Sequence, residues 1–188
     1  MLSGRRLDLL SPDPKDIEIE DIAHGLARVA RWNGQTKGAH AFSVAQHSLL
    51  VTDIVNALHP GFSANELRAA LLHDAPEYVI GDLISPFKTA IGLDYKSFEL
   101  NLLQAIYCRF EIRDLNVAAS AAIKEADMIA AFYEATGLAG FEKSEAELFF
   151  GKPNLPTELH RALAVLEPLA ASDAQTLFLA KFADLSRH

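Results

Sequence analysis

The chain has 188 residues, half of them hydrophobic and 22% charged, which suffices for one domain with a substantial core. Its formal net charge is −8 and it carries no basic cluster. A long nucleic acid is therefore excluded as an expected partner, because such affinity is built from Lys and Arg neutralising successive phosphates, whereas a small anion needs only local positive charge.

In chain order the apolar periodicity is helical, without convincing period-two strands, so the expected fold is an all-α, single-domain bundle. A first helix is predicted over 18–32, with Ile22, Leu26 and Val29 on one face and Gly34 just past its end. A second, over 43–58, repeats Val44, Leu50, Val51, Ile54 and Leu58 at helical spacing. The third opens on a capping box, Ser63 to Glu66, and continues through Leu67, Leu71 and Leu72. Pro76 and Gly81 then interrupt the pattern. Further helices are predicted over 94–110, carrying Tyr95, Phe98, Leu102, Ile106 and Phe110, and over 116–136. After the stretch GKPNLP, two last helices are separated near Pro168, and a box from Ser172 to Gln175 restarts the second. No repeat, low-complexity tract or long linker divides the chain.

The single cysteine, Cys108, rules out an internal disulfide and suits a reducing compartment. The N-terminal MLSGRRLDLLSPDPKD lacks the apolar core of a signal peptide, and no uncharged apolar run approaches the ~18–20 residues that span a bilayer. The expected location is the cytoplasm, with no membrane partner.

The stretch AALLHDAPEYVIGD, 69–82, sets ionisable groups inside and just beyond an apolar helical run. Such groups are rarely buried unless paired or bound to a metal. His47 shares its helix face with Val44, Leu50, Val51 and Ile54; taken alone, it reads as a core histidine bonded to a carbonyl. Asp127 sits among Ile123, Ala130 and Ala131, a poor mid-helix position for aspartate, although Lys124 could pair with it at the surface. His73 and Asp74 are adjacent and reach one ion only if the backbone turns there, which Pro76 favours. Taken together, His47, His73, Asp74 and Asp127 supply two imidazoles and two carboxylates from three helices. That set neutralises one divalent cation and leaves positions for water and substrate, so a metal site outweighs four independent core polars.

This arrangement resembles the H…HD…D signature of the HD-domain metal-dependent phosphohydrolases, over about 19–137, with the AQHS and EAD contexts included. The string HDAPEYVIGDLISPFK is similar to the bacterial 5′-deoxynucleotidase branch, which has an acidic residue three positions after HD, then Gly-Asp and Pro-x-Lys. Here those are Glu77, Gly81-Asp82 and Pro86-Phe87-Lys88, and Arg31-Trp32 matches the branch's upstream Arg-Trp pair. The resemblance implies an HD-type helical domain with the 156–188 helices packed on it. It implies hydrolysis of nucleoside 5′-monophosphates, deoxyribonucleotides foremost, and a homodimer.

On that resemblance Glu77 acts as general base or positions the water, and Asp82 orients the water or protonates the leaving 5′-oxygen. Without the upstream ligands both would read as solvated loop carboxylates. Arg31 would grip phosphate bidentately, although a cation near a helix C-terminus is favourable in any case. Trp32 would pack against the sugar and disfavour a 2′-hydroxyl, or serve as an ordinary core residue; Lys88 is a further phosphate candidate. The cofactor is one divalent ion, with Co, Mn, Mg, Fe, Ni and Zn all compatible. His24 is expected to make a structural hydrogen bond, His40 to lie off any helix face, and His59 and His160 to be helix-end or surface residues. Two other functions fit the same residues: another HD phosphohydrolase acting on a triphosphate or cyclic nucleotide, and a non-catalytic sensor binding metal and nucleotide. The lack of extra basic residues disfavours the triphosphate.

Overall fold

The computed structural model describes residues 1–83, 93–113 and 115–187. Within them run α1 (Ile19–Leu26), α2 (Val44–Leu58), α3 (Ala64–Leu71), α4 (Glu77–Ile80), α5 (Leu93–Arg109), α6 (Val117–Gly137), α7 (Lys143–Phe150), α8 (Thr157–Leu163) and α9 (Ala171–Leu185). Short 3-10 turns form at Pro14–Asp16 and Arg31–Gly34. Among the described residues there is no strand, only one isolated antiparallel bridge between Ala30 and Ser43. The all-helical expectation therefore holds for them. None of these helices is long and apolar enough to cross a membrane.

Helix starts follow the capping chemistry in the sequence. Ser43 Oγ accepts from the Gln46 N–H at the head of α2, and Asn116 Oδ1 accepts from the Ala119 N–H at the head of α6. The predicted box at Ser63 and Glu66 is present on α3. Ser172 and Gln175 do not form one. Helix α9 already begins at Ala171 with Ala170 as its cap residue, while Gln175 Oε1 instead accepts from Arg28 Nη1. Helix α7 was not predicted from the periodicity; its eight residues bury only Ala146, too little for an apolar stripe to show.

The first helix is also shorter than its pattern. It stops after Leu26 because the N–H groups of Val44 and Arg31 take the carbonyls of Val29 and Phe42. The chain there runs alongside 42–44 instead of continuing the helix. Trp32 and Asn33 then adopt left-handed backbone, with φ of 55° and 51°. For non-glycine residues that costs roughly 1–2 kcal/mol each, so surrounding contacts must hold the turn.

Helices α2 and α6 pack directly together, and α9 lies against α1, α2 and α3. The buried face of α6 carries Ala119, Ala122, Ala126 and Ala130, so little side-chain volume separates its axis from α2. Phe178 of α9 is fully buried in the shared core with Ile54, Leu71, Leu102 and Ile106. The 21 residues of α6 rise about 30 Å.

One close approach fixes α4. A Cβ on Gly25 would meet the Tyr78 carbonyl oxygen at 2.7 Å and Tyr78 Cβ at 2.8 Å, so α1 and α4 touch only because this residue is glycine. Gly25→Ala should destabilise the protein by about 1–3 kcal/mol, the usual cost of overpacking. Gly61→Ala, whose Cβ meets nothing within 4 Å, should leave the thermal midpoint within a degree or so of wild type. Equal melting of the two variants would refute the close contact.

Candidate metal centre

Three elements bring the predicted ligands together. His47 lies in the first turn of α2 and is fully buried. His73 and Asp74 occupy the turn between α3 and α4, where Ala75 N–H donates to Leu72 O and Glu77 N–H to Asp74 O, both at 3.0 Å. These tight turns, the second of which contains Pro76, supply the bend that two adjacent ligands need. Asp127 projects from the middle of α6, and Lys124 forms no ion pair with it.

The donor atoms converge. His47 Nε2 is 3.1 Å from Asp127 Oδ1 and 3.5 Å from Asp74 Oδ2, and His73 Nε2 is 3.3 Å from Asp74 Oδ2. His47, His73 and Asp127 each offer one ligand atom, all within 4.8 Å of one another, a set that could hold a metal ion. Asp74 borders that set through both imidazoles.

Each imidazole is fixed by its other nitrogen. His47 Nδ1 lies 2.6 Å from Glu134 Oε1, and His73 Nδ1 lies 2.8 Å from the Ala70 carbonyl oxygen. A carbonyl only accepts, so His73 carries its proton on Nδ1; the same holds for His47 against an ionised Glu134. In the neutral rings both Nε2 atoms then present lone pairs to carboxylate oxygens. They are buried and have no hydrogen bond of normal geometry. Lone pairs facing anions in a desolvated site repel unless a cation lies between them, and this is how metal-binding imidazoles are presented. The residues therefore fit a divalent ion.

The charges respond as that geometry requires. Burial and Arg31 oppose protonation of His47, but Glu134 and Asp127 outweigh them, and its pKa is pushed up to about 10. Burial likewise opposes charge on His73, and Asp74 overcomes it to raise the pKa. Burial alone would raise the Asp74 and Asp127 carboxyls, yet the imidazoles hold both below the usual carboxylate range. Without a metal, protons supply the missing positive charge.

The centre opens into a cavity of about 300 Å³ lined by the polar or charged side chains of Arg31, Trp32, Asp74, Glu77, Asp82 and Asp127 and by the apolar ones of Met128, Ala131 and Phe150. Glu77 is 2% exposed at the start of α4. It is no solvated loop carboxylate. Arg31 Nη1 lies 3.5 Å from Asp82 Oδ2, and Trp32 meets Phe141 and Phe150 edge-on with ring centroids 5.5 and 5.9 Å away. Arg31 is thus held in a turn beside the cleft and not at a helix C-terminus. Lys88 lies outside the described residues. Outside the centre, His40 is exposed, His59 stacks on Phe62, and His160, exposed on α8, bonds to the Tyr133 hydroxyl.

Sequence reasoning missed Glu134. It is fully buried, accepts from Trp32 Nε1 at 2.9 Å and Arg31 Nε at 3.2 Å, and meets His47 Nδ1 with its other oxygen. Burial would raise its pKa, but His47 and Arg31 hold it down, to about 2. The signal was present: Glu134 follows Asp127 by two helical turns on the same alanine-rich face.

No protein-family model matches the chain. It is 54% identical, over 166 residues, to a Rhodobacter capsulatus protein described as uncharacterized; the match covers 88% of this chain and 84% of the other. At that identity and coverage the chain belongs to the same family as the Rhodobacter capsulatus protein.

A divalent ion at His47 Nε2 competes with the proton that Glu134 and Asp127 favour on that ring. Calorimetric titration with Mn²⁺ in buffers of different ionisation enthalpy should therefore show release of about one proton or more per ion. The affinity should rise with pH between 6 and 9. Binding with no proton release would show that the ion does not engage His47.

Proposed function

We propose that this chain is a metal-dependent phosphohydrolase of the HD-domain type that converts nucleoside 5′-monophosphates, deoxyribonucleotides foremost, to nucleoside and phosphate. The carrying observation is the shared cleft. The His47–His73–Asp127 cluster, with Asp74 beside it, faces the same space as a buried acid, Glu77, and a cation, Arg31. A non-catalytic sensor has no need of a buried carboxylate beside its metal.

His47, His73, Asp74 and Asp127 would hold the ion. When bound it supplies an acidified water and an electrophile for a phosphoryl oxygen. The remaining chemistry belongs to the side chains. Arg31, with Nε and Nη1 turned to Glu134 and Asp82, keeps Nη2 for the substrate phosphate. Water oxygen adds to phosphorus as its proton passes to Glu77, the P–O5′ bond breaks, and the 5′-oxygen takes that proton back from Glu77, directly or by way of Asp82. Glu77 suits the base role because it is shielded from bulk water yet lines the cleft. Asp82 stands beside Arg31, where it can orient the water or deliver the proton to the leaving oxygen.

Trp32 would form the sugar platform. Its indole N–H is committed to Glu134 and its ring is braced by Phe141 and Phe150, so the platform is rigid. Among the described residues lining the cavity, Arg31 is the one cation, which favours a monophosphate over a triphosphate. A cytoplasmic homodimer acting on a small-molecule nucleotide completes the proposal.

Phosphate release from a panel of nucleotides with Mn²⁺, Co²⁺ or Mg²⁺ tests this reading, and 2′-deoxynucleoside 5′-monophosphates should be the best substrates. Glu77→Gln should lower kcat about 10²–10⁴-fold while metal binding persists. Tripolyphosphate release from triphosphates would assign the alternative HD chemistry. Metal-dependent thermal stabilisation without any turnover would assign the sensor.

A further inference from the structure

We propose that Glu134 is a positioning residue that joins the metal half of the cleft to the substrate half, setting the place of Arg31 relative to the ion through a single carboxylate. This rests on the phosphohydrolase reading for its substrate, and on the geometry of Glu134 for everything else.

The two oxygens are divided between the halves. Oε1 meets His47 Nδ1 at 2.6 Å, while Oε2 accepts from Trp32 Nε1 at 2.9 Å and from Arg31 Nε at 3.2 Å. Glu134 thus touches both the ligand cluster and the Arg31–Trp32 turn with side-chain hydrogen bonds. The carboxylate is fully buried, so its desolvation must be offset by these donors; losing any one leaves a costly imbalance.

Helix α6 makes the linkage stiff. Asp127 faces His47 Nε2 and Glu134 faces His47 Nδ1, two turns apart on one rod. Glu134 holds Nδ1 and so sets the ring plane and the tautomer, while Asp127 of the same helix lies 3.1 Å from Nε2. The same carboxylate that fixes the tautomer fixes Arg31. An oxyanion bound between the ion and Arg31 therefore meets two partners whose separation is preset, as catalytic positioning requires. The left-handed backbone at Trp32 and Asn33 fits this role, since strain at that turn is held by side-chain contacts to α6 and α7.

Glu134→Gln separates the two duties. A glutamine has one accepting oxygen, so it can serve His47 or the Arg31–Trp32 pair, but its amide group meets a donor on the other side. We would measure Mn²⁺ affinity by calorimetry and the affinity of the Mn²⁺-loaded protein for inorganic phosphate, neither of which needs turnover. Metal affinity should fall about 10–100-fold, the usual cost of losing a partner behind a metal-ligating histidine. Phosphate affinity at saturating Mn²⁺ should fall at least tenfold as well, and KM for a monophosphate should rise with it. In the Zn²⁺-loaded protein, the downfield His47 Nδ1–H proton resonance should shift upfield or vanish. That signature reports the hydrogen bond directly, and a merely structural role would not move it.

Wild-type affinity for either Mn²⁺ or phosphate in the variant overturns the coupling. Should Glu134→Gln not fold, Glu134→Asp carries the same test: a carboxylate one methylene shorter cannot span both partners, so both affinities must drop, and wild-type affinity for either again overturns the coupling. Failure here is distinct from failure of the enzymatic reading. A wild-type protein that binds Mn²⁺ and phosphate but hydrolyses nothing sinks the reaction and leaves the coupling standing. A wild-type protein that binds no Mn²⁺ sinks both.

Discussion

The charge balance around the His47 imidazole governs the centre of this molecule. A fully buried ring sits between Glu134 on one nitrogen and Asp127 on the other, with Asp74 3.5 Å away. Three carboxylates around one buried imidazole, one of them fully buried and two open to the cleft, demand positive charge. Arg31 supplies part of it from one side, and the rest must come from protons on the imidazoles or from a metal. A protein core does not accumulate such groups for packing, because an apolar replacement of the same volume would be neutral or better. Their presence is best understood as preparation for a cation, and the Nδ1 partners of both histidines are what turn the Nε2 lone pairs toward it.

The fold's job is to assemble this set from positions far apart in the chain. Close α2–α6 packing, allowed by alanines, places His47 against Asp127 and Glu134. The short turn between α3 and α4 contributes two ligands at once, and the Gly25–Tyr78 contact seats α4 so that Glu77 faces the cleft. The remaining wall comes from the aromatic side chains of 141–150, which brace Trp32. The Arg31–Trp32 side of the cleft is therefore built on irregular backbone stiffened by hydrogen bonds to a long helix, while the His47–His73–Asp127 side is built on helices and their tight joints.

Much of this was legible in the residues because it follows local rules. The caps at Ser43, Ser63 and Asn116 start helices where their hydroxyl or amide oxygens take up N–H groups. His47, His73 and Asp127 stood out because each interrupts an apolar face, and the structure places them within ligand reach of one another. What escaped depended on long-range pairing. The early end of α1 is dictated by Val29 and Phe42 carbonyls meeting partners 11 to 15 positions away, which no helical period records. Glu134 escaped because an acid near a helix end normally reads as solvated; only the donors arriving from Arg31, Trp32 and His47 explain its burial. Ser172 and Gln175 show the opposite error, a valid capping pattern displaced because the chain after Pro168 enters the helix early and Gln175 is engaged by Arg28.

The central claim is spatial: side chains from α2, α6 and the α3–α4 turn surround one cation. Anomalous X-ray diffraction from crystals soaked in Mn²⁺ or Co²⁺ measures that directly. A single strong peak should lie about 2.0–2.3 Å from His47 Nε2, His73 Nε2 and an oxygen of Asp127, with Asp74 completing the protein ligands. A peak that bonds none of these atoms, or a centre that stays empty at millimolar metal, would contradict it.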